Sequence, residues 1–388
     1  MEKVDFEEYK RSLLDFVCRS VQTRSYSDEE GDFASLILAE MKALDFDEAF
    51  VDGVGNVVGR VGNGATVVHF DGHMDTVEVP DADLWEVPPF SGRIVDGMLW
   101  GRGSVDMKAS LCAAIYGAAL AKKEGLLEGK TVYVTGSVCE EYCDGECLRH
   151  FYREQQLKPD YCVICEPSDN VITLGHKGKA QIRIVTHGVS AHGSAPEKGV
   201  NAVYEMAEII RRVEALNQKL SQREGGHGTV VLSDISCVSA SLNAVPEECC
   251  IYLDRRLAFG ETLEEVKAEM DDLVAGKDAH WEVGTLHHTS WKGSSLIYEP
   301  MHDPWRISRE HPLTRALERA YASVYGDAPK AYDFWDFGTN AVVPVEMGVP
   351  TIGFGAGEYK LAHMRNERCS VEQIFEACAV YCRLIDEL

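Results

Sequence analysis

The stretch VVHFDGHMDTV, residues 67–77, runs from a β-prone, largely apolar segment through Gly72 into His73 and Asp75. Alternation along an extended chain places positions 73 and 75 on one face. A buried carboxylate there needs a partner, because an unpaired charge in apolar surroundings is very costly. An arginine, a substrate or a metal ion would serve. Other predicted strands also end in ionisable residues: Glu140 and Glu141 after TVYVTGSV, Glu166 after YCVIC, and His363 in the segment YKLAHMRNE beyond TIGFG. Asp106, in GRGSVDMK, stands at the entrance to an alanine-rich helix.

In an open α/β sheet, ligands bind outside the carboxyl ends of the strands. Two histidines and five carboxylates are therefore expected to converge on one sheet edge. So many carboxylates close together repel one another and resist ionisation, and two divalent cations resolve the conflict. A mixed histidine and carboxylate set suits zinc, with cobalt or manganese as substitutes. Two metals about 3.5–4 Å apart polarise a carbonyl and bring the pKa of a shared water towards about 7. A carboxylate left off the metals then takes the water's proton.

The elements that must position these residues read as an α/β architecture. A helical pattern covers 4–22, and a second helix is expected from Ser27, where S-D-E-E makes a capping box with Glu30. Strands are expected at 56–61, 66–70, 130–138, 161–165 and 349–355, and a helix at 106–125 closed by Gly125. This alternation implies a largely parallel sheet. The middle differs: strand 179–188, helix 201–220, strands 228–238 and 248–257, a helix opened by the capping box Thr262–Glu265, and strand 280–288. That order, β-α-β-β-α-β, is the ferredoxin-like split unit. Residues 179–290 are thus expected to form a domain inserted into a catalytic domain made of 1–178 and 291–388.

Bulk properties narrow the function. The chain has 388 residues, 45% hydrophobic and 26% charged, as an ordinary globular protein has. A formal net charge of −25 argues against nucleic acid and against an anionic membrane surface. No apolar run approaches the roughly 20 residues needed to span a bilayer. The acid-rich, amphipathic N-terminus MEKVDFEEYKRSLLDF does not read as a signal peptide. Thirteen cysteines without a secretory signal are expected to be reduced thiols in a cytoplasm. Cys139, Cys143 and Cys147 lie four apart, which suits either a thiolate metal site or small apolar residues along one helix face.

Taken together and in order, GHMDTV, GRGSVDMK, CEEYCDGE, CEPSD and AHMRNE resemble the acetylornithine deacetylase, succinyl-diaminopimelate desuccinylase and aminoacylase family of co-catalytic zinc metallopeptidases. The resemblance spans nearly the whole chain. It implies a zinc-exopeptidase-like catalytic domain with an inserted ferredoxin-like lid that dimerises. It further implies that Asp106 bridges two metals, with His73 and Glu166 on one and Glu141 and His363 on the other. Glu140 would be the general base, and Asp75 would orient His73. In the lid, GVSAHGSAPEKGVNAV resembles the segment whose histidine, here His192, reaches a neighbouring subunit's active site to stabilise an oxyanion. Asn243 and Arg256 match lid positions that contact substrate, and Arg256 suits a substrate carboxylate by bidentate pairing. Backbone N–H groups of GFGAG, at Gly355, would add to that subsite.

The chain departs from the family pattern at Ala109, where glycine is common, and at Asn340, where many members carry an acidic residue or serine, so the substrate pocket is expected to differ there. Glu166, rather than aspartate, is similar to the deacylase and carboxypeptidase members. FWDFGTNAV and IGFGAGEYKLAH look closest to a branch of hydrolases linked to selenium metabolism. The resulting expectation is a cytoplasmic, homodimeric hydrolase that uses two divalent ions, most simply zinc, to cut an amide in a small carboxylate-bearing N-acyl amino acid or dipeptide. Two other readings compete. A metal-free binding protein of the same fold would have lost a ligand or the base. A cysteine-centred redox or metal protein would be sensitive to alkylation rather than chelation.

Overall fold

The computed structural model describes residues 6–223 and 226–388. Residues 4 and 5, where the first helical pattern begins, lie outside them. A nine-stranded sheet runs in the order Glu48–Val51, Val57–Gly62, Lys130–Ser137, Thr66–His73, Tyr161–Ile164, Thr351–Gly353, Ile172–His176, Trp305–Arg306, with Tyr332–Trp335 also paired to Ile172–His176. The four strands at its centre, from Lys130–Ser137 to Thr351–Gly353, are parallel. Antiparallel pairing enters on both sides of them. Parallel strands covered on both faces read as continuous apolar runs, and Thr66–His73 is buried over its last six residues.

Helix Lys108–Glu124 packs on this sheet and against the C-terminal helix Val371–Glu387. Gly117 permits that approach, since a Cβ there would sit 3.0 Å from the Cys378 carbonyl oxygen. Gly125, with φ of 77°, closes the helix as expected.

A second, all-antiparallel sheet runs in the order Thr229–Val238, Glu248–Leu257, Gly178–His187, Ala279–Val283. Helices Ala202–Ser221 and Leu263–Val274 bury Met206, Ile209, Val266 and Met270 against it. The Thr262 capping box forms with both its hydrogen bonds.

Two local expectations need correction. Ser27 and Glu30 do not cap a helix; the helix is Gly31–Ala43, with no side-chain cap. Ser27 instead donates to Asp75 Oδ2 at 2.7 Å, and Glu30 Oε1 accepts the N–H of Cys139 at 3.0 Å. The strand expected over 280–288 is broken at Gly284, and Leu286–Thr289 turns away to pair with Ser295–Tyr298. Among the described residues no helix is long and apolar enough to cross a membrane.

Candidate active site

The parallel strands end in the loops that carry the chemistry. His73 is the last residue of Thr66–His73, and Met74 N–H donates to the Ser137 carbonyl at the end of the neighbouring strand. Beyond that strand the chain turns at Cys139, with φ of 55°, into Glu140 and Glu141. Asp75 fastens this turn: its carboxylate accepts the Glu140 N–H at 3.0 Å and the Glu141 N–H at 3.2 Å. Its relation to His73 differs from expectation. His73 Nδ1 lies 2.9 Å from the main-chain oxygen of Asp75 and 3.6 Å from its carboxylate. The backbone carbonyl thus holds the ring through Nδ1 and turns Nε2 towards Asp106.

Asp106 lies between two imidazoles. Oδ1 is 2.8 Å from His73 Nε2, and Oδ2 is 3.2 Å from His363 Nε2. Glu166 Oε1 is 3.6 Å from His73, and Glu141 Oε2 is 3.0 Å from His363. The donor atoms of His73, Asp106 and Glu166 form one cluster with every atom within 4.8 Å of the others, and those of Asp106, Glu141 and His363 form a second. Asp106 belongs to both, one oxygen facing each histidine.

The electrostatics follow from this crowding. Burial and the charge of Glu166 push Glu140 well above the usual carboxylate range. Burial raises Glu166 and Glu141 in the same direction. Burial would also raise Asp106, but hydrogen bonds from His363 and His73 hold it below its ordinary value. Hydrogen bonds to Asp106 and Glu141 raise His363 to about 10. For His73, burial acts downward, but the charge of Glu166 and the hydrogen bond to Asp106 carry it well above normal.

Sequence reasoning missed the residues that hold these ligands from behind. Glu367 is fully buried, paired with Arg102 at 2.5 Å. Its other oxygen accepts the N–H groups of Val105 at 2.8 Å and Asp106 at 3.1 Å, while Arg102 Nη2 reaches the His363 carbonyl at 3.3 Å. One ion pair thus fixes the backbone of both Asp106 and His363. Arg102 sits in GRGSVDMK and Glu367 just after AHMRN, so proximity to the motifs was the available signal.

A cavity of about 330 Å³ opens onto the cluster, lined by Asp106, Glu140, Glu141, Glu166 and His363 on one side and by Lys179 and Arg256 from the second sheet on another. Arg256 thus lines the cavity, with Nε and Nη2 held by Asp254 at 2.8 and 2.9 Å. His192 and Asn243 do not line it. They lie together on an exposed part of the lid, where the Asn243 carbonyl accepts the Gly193 N–H at 2.6 Å.

Two expected substrate contacts are not available. Asn340 is buried, and its amide donates to Asp71 at 2.8 Å and Ser137 at 2.9 Å while accepting the Gly145 N–H at 2.6 Å. The Gly355 N–H is taken by Ser168 Oγ at 3.0 Å. Glycine is needed there for another reason: a Cβ would stand 2.3 Å from the Glu166 carbonyl oxygen.

The cysteine cluster is not a metal site. Among the described residues no metal-competent group contains a thiol. Cys139, Cys143 and Cys147 are free and buried, and burial raises all three thiols, Cys143 to about 12. Only Cys147 lies on a helix, Glu146–Glu154, so they do not share a helix face either.

Comparison with known proteins places this geometry in context. The description Peptidase family M20/M25/M40 matches residues 69–387. The "Uncharacterized protein YgeY" of Escherichia coli strain K12 is 34% identical over 379 residues, covering 97% of this chain and 94% of that protein. A succinyl-diaminopimelate desuccinylase of Cereibacter sphaeroides strain ATCC 17029 is 26% identical, covering 95% of this chain and 96% of that enzyme. The solved structure of the YXEP protein of Bacillus subtilis, described as a dinuclear metal binding peptidase from the M20 family, aligns with a TM-score of 0.69 at 14% identity, covering 98% of each chain. At that identity the likeness is one of fold.

Proposed function

The chain belongs to peptidase family M20/M25/M40 and is a metal-dependent amide hydrolase; from that premise we propose that two zinc ions, held on either side of Asp106, serve it in cutting a small carboxylate-bearing N-acyl amino acid or dipeptide. The observation that carries this reading is the placement of the two Asp106 oxygens, each facing a different histidine. The donor set fits: imidazole nitrogens and carboxylate oxygens in two overlapping groups suit borderline divalent ions. His73 and Glu166 would hold one ion, Glu141 and His363 the other, and Asp106 both.

When bound, such a pair supplies Lewis acidity to the amide carbonyl and acidity to water. The protein's own groups do the rest. Glu140 lines the cavity with a carboxylate that makes no hydrogen bond among the described residues, 3.9 Å from His73 Nε2. It takes the proton of the attacking water and returns it to the leaving amine nitrogen. Asp75 fixes Glu140 through its main-chain N–H, and Arg256 receives the substrate carboxylate. The chain divides, on this reading, into a catalytic domain of 1–178 and 291–388 and a lid of 179–290. The lid pairs with a second copy to bring His192 and Asn243 to the partner's site. The free thiols suit a cytoplasmic setting.

Replacing Glu140 with alanine is expected to lower kcat by at least about a thousandfold, within the range for general acid–base groups, with metal content unchanged. Near-normal turnover by Glu140→Ala would remove Glu140 from the chemistry. Activity abolished by alkylation but indifferent to chelators would favour the cysteine-centred reading instead.

A further inference from the structure

Five carboxylates line the cavity, and four of them are committed: Asp106, Glu141 and Glu166 to the histidine clusters, and Asp144 to the lid. Glu140, the fifth, is the base. Asp144 Oδ2 lies 2.6 Å from Lys179 Nζ and 3.0 Å from the Tyr298 hydroxyl, with His302 Nε2 at 3.4 Å. Lys179 is about nine-tenths buried and lines the cavity. Of its three N–H donors, one points to Asp144, and the ammonium stands 5.5 Å from the centroid of the Tyr298 ring; no second hydrogen-bond acceptor faces it among the described residues.

Lys179 also stands directly opposite Arg256 in the register of strands Gly178–His187 and Glu248–Leu257. Like charges facing each other across a strand pair are destabilising. Arg256 keeps Nη1 without a partner among the described residues, so both cations turn unspent donors to one cavity. An anion between them would relieve their repulsion.

Resting on the reading under Proposed function, we infer that Lys179, latched to Asp144, is the residue that decides the class of substrate: it joins Arg256 in binding the carboxylate, and by occupying Asp144 it denies a free ammonium any acidic partner. The protein therefore takes amides blocked on the acyl side, not dipeptides with a free α-amino group. An ammonium in the cavity would meet Lys179, Arg256 and two divalent ions, and could be neutralised only at the expense of the base.

The test uses zinc-loaded, full-length Glu140→Gln protein and matched ligands that differ by one group. N-acetyl-L-amino acids and glycyl-L-amino acids, across the twenty common leaving residues, exchange a methyl hydrogen for an ammonium, and the carboxamides of the acetyl series remove the carboxylate. Binding is read by calorimetry, and metal content is measured on the same samples. For the best leaving residue, the acetyl ligand is expected to bind at least tenfold tighter than the glycyl one. Adding Lys179→Met should weaken the acetyl acid at least tenfold, leave its carboxamide unchanged, and move the acetyl-to-glycyl ratio towards the dipeptide, because Asp144 is released. Lys179→Arg should restore the preference.

A purely structural lysine would weaken all three ligand types together and leave the ratio still, which overturns the inference. Tighter binding of glycyl ligands overturns it as well, as does binding of neither series by protein that holds two ions. Protein that holds fewer than two ions would instead contradict the metal reading beneath it.

Discussion

Asp106 has two oxygens and faces two histidines, and that correspondence is what joins the two donor groups into the proposed paired site. Its position depends on Glu367, which accepts the Asp106 N–H while neutralising Arg102. Partners that orient a ligand from behind are commonly worth about 10–100-fold in metal affinity. Glu367→Gln is expected to weaken metal retention by that order in a chelator competition, since the amide loses the charge that binds Arg102 and presents N–H groups where acceptors are needed. Unchanged retention would mean that the Arg102–Glu367 pair merely fills space. The proposed ligands His73, Glu141 and Glu166 were legible as candidates in the sequence because each follows a strand-like run, and Asp106 because it opens an alanine-rich helix. The groups that hold them were not. Arg102 and Glu367 are separated by 265 positions, and Lys179 lies on a strand of the second sheet while Asp144 follows strand Lys130–Ser137 of the first; no periodicity marks such pairs. Asn340 was misjudged for the same reason, since its buried partners Asp71 and Ser137 come from distant strands.

Capping boxes show where element-scale reading succeeds and where tertiary structure overrides it. Thr262 and Glu265 satisfy each other at the start of helix Leu263–Val274, and Asp303 accepts the next N–H, of Leu263, at 2.8 Å. Ser27 and Glu30 have the same spacing but are drawn to Asp75 and to the Cys139 N–H, buried groups that are costly to leave without partners. Thr262→Ala should therefore destabilise the lid by about 1 kcal/mol, the usual cost of a lost N-cap, measured by denaturant unfolding, with little effect on catalysis. Ser27→Ala should act the other way, lowering kcat through Asp75 and the Glu140 turn. The idea fails if Thr262→Ala costs activity while Ser27→Ala costs only stability. The strands of both sheets were legible from apolar runs and alternation. The break at Gly284 was not, because it depends on which partner Leu286–Thr289 meets.

At the scale of the molecule, strand Thr229–Val238 lies at the free edge of the lid sheet and exposes Val231, Ile235 and Val238, with Leu242 just beyond it. We propose this apolar edge, which no further strand covers among the described residues, as the place where a second copy pairs. Sedimentation should show a dimer, and His192→Ala should lower kcat without dissociating it. A fully active monomer would contradict both. The proposed pair of ions about Asp106 is open to elemental analysis of metal per chain after purification without chelators and brief zinc reconstitution. Two ions per chain are expected in the unmodified protein, with loss of both in Asp106→Ala. Fewer than one ion per chain in the unmodified protein would contradict it.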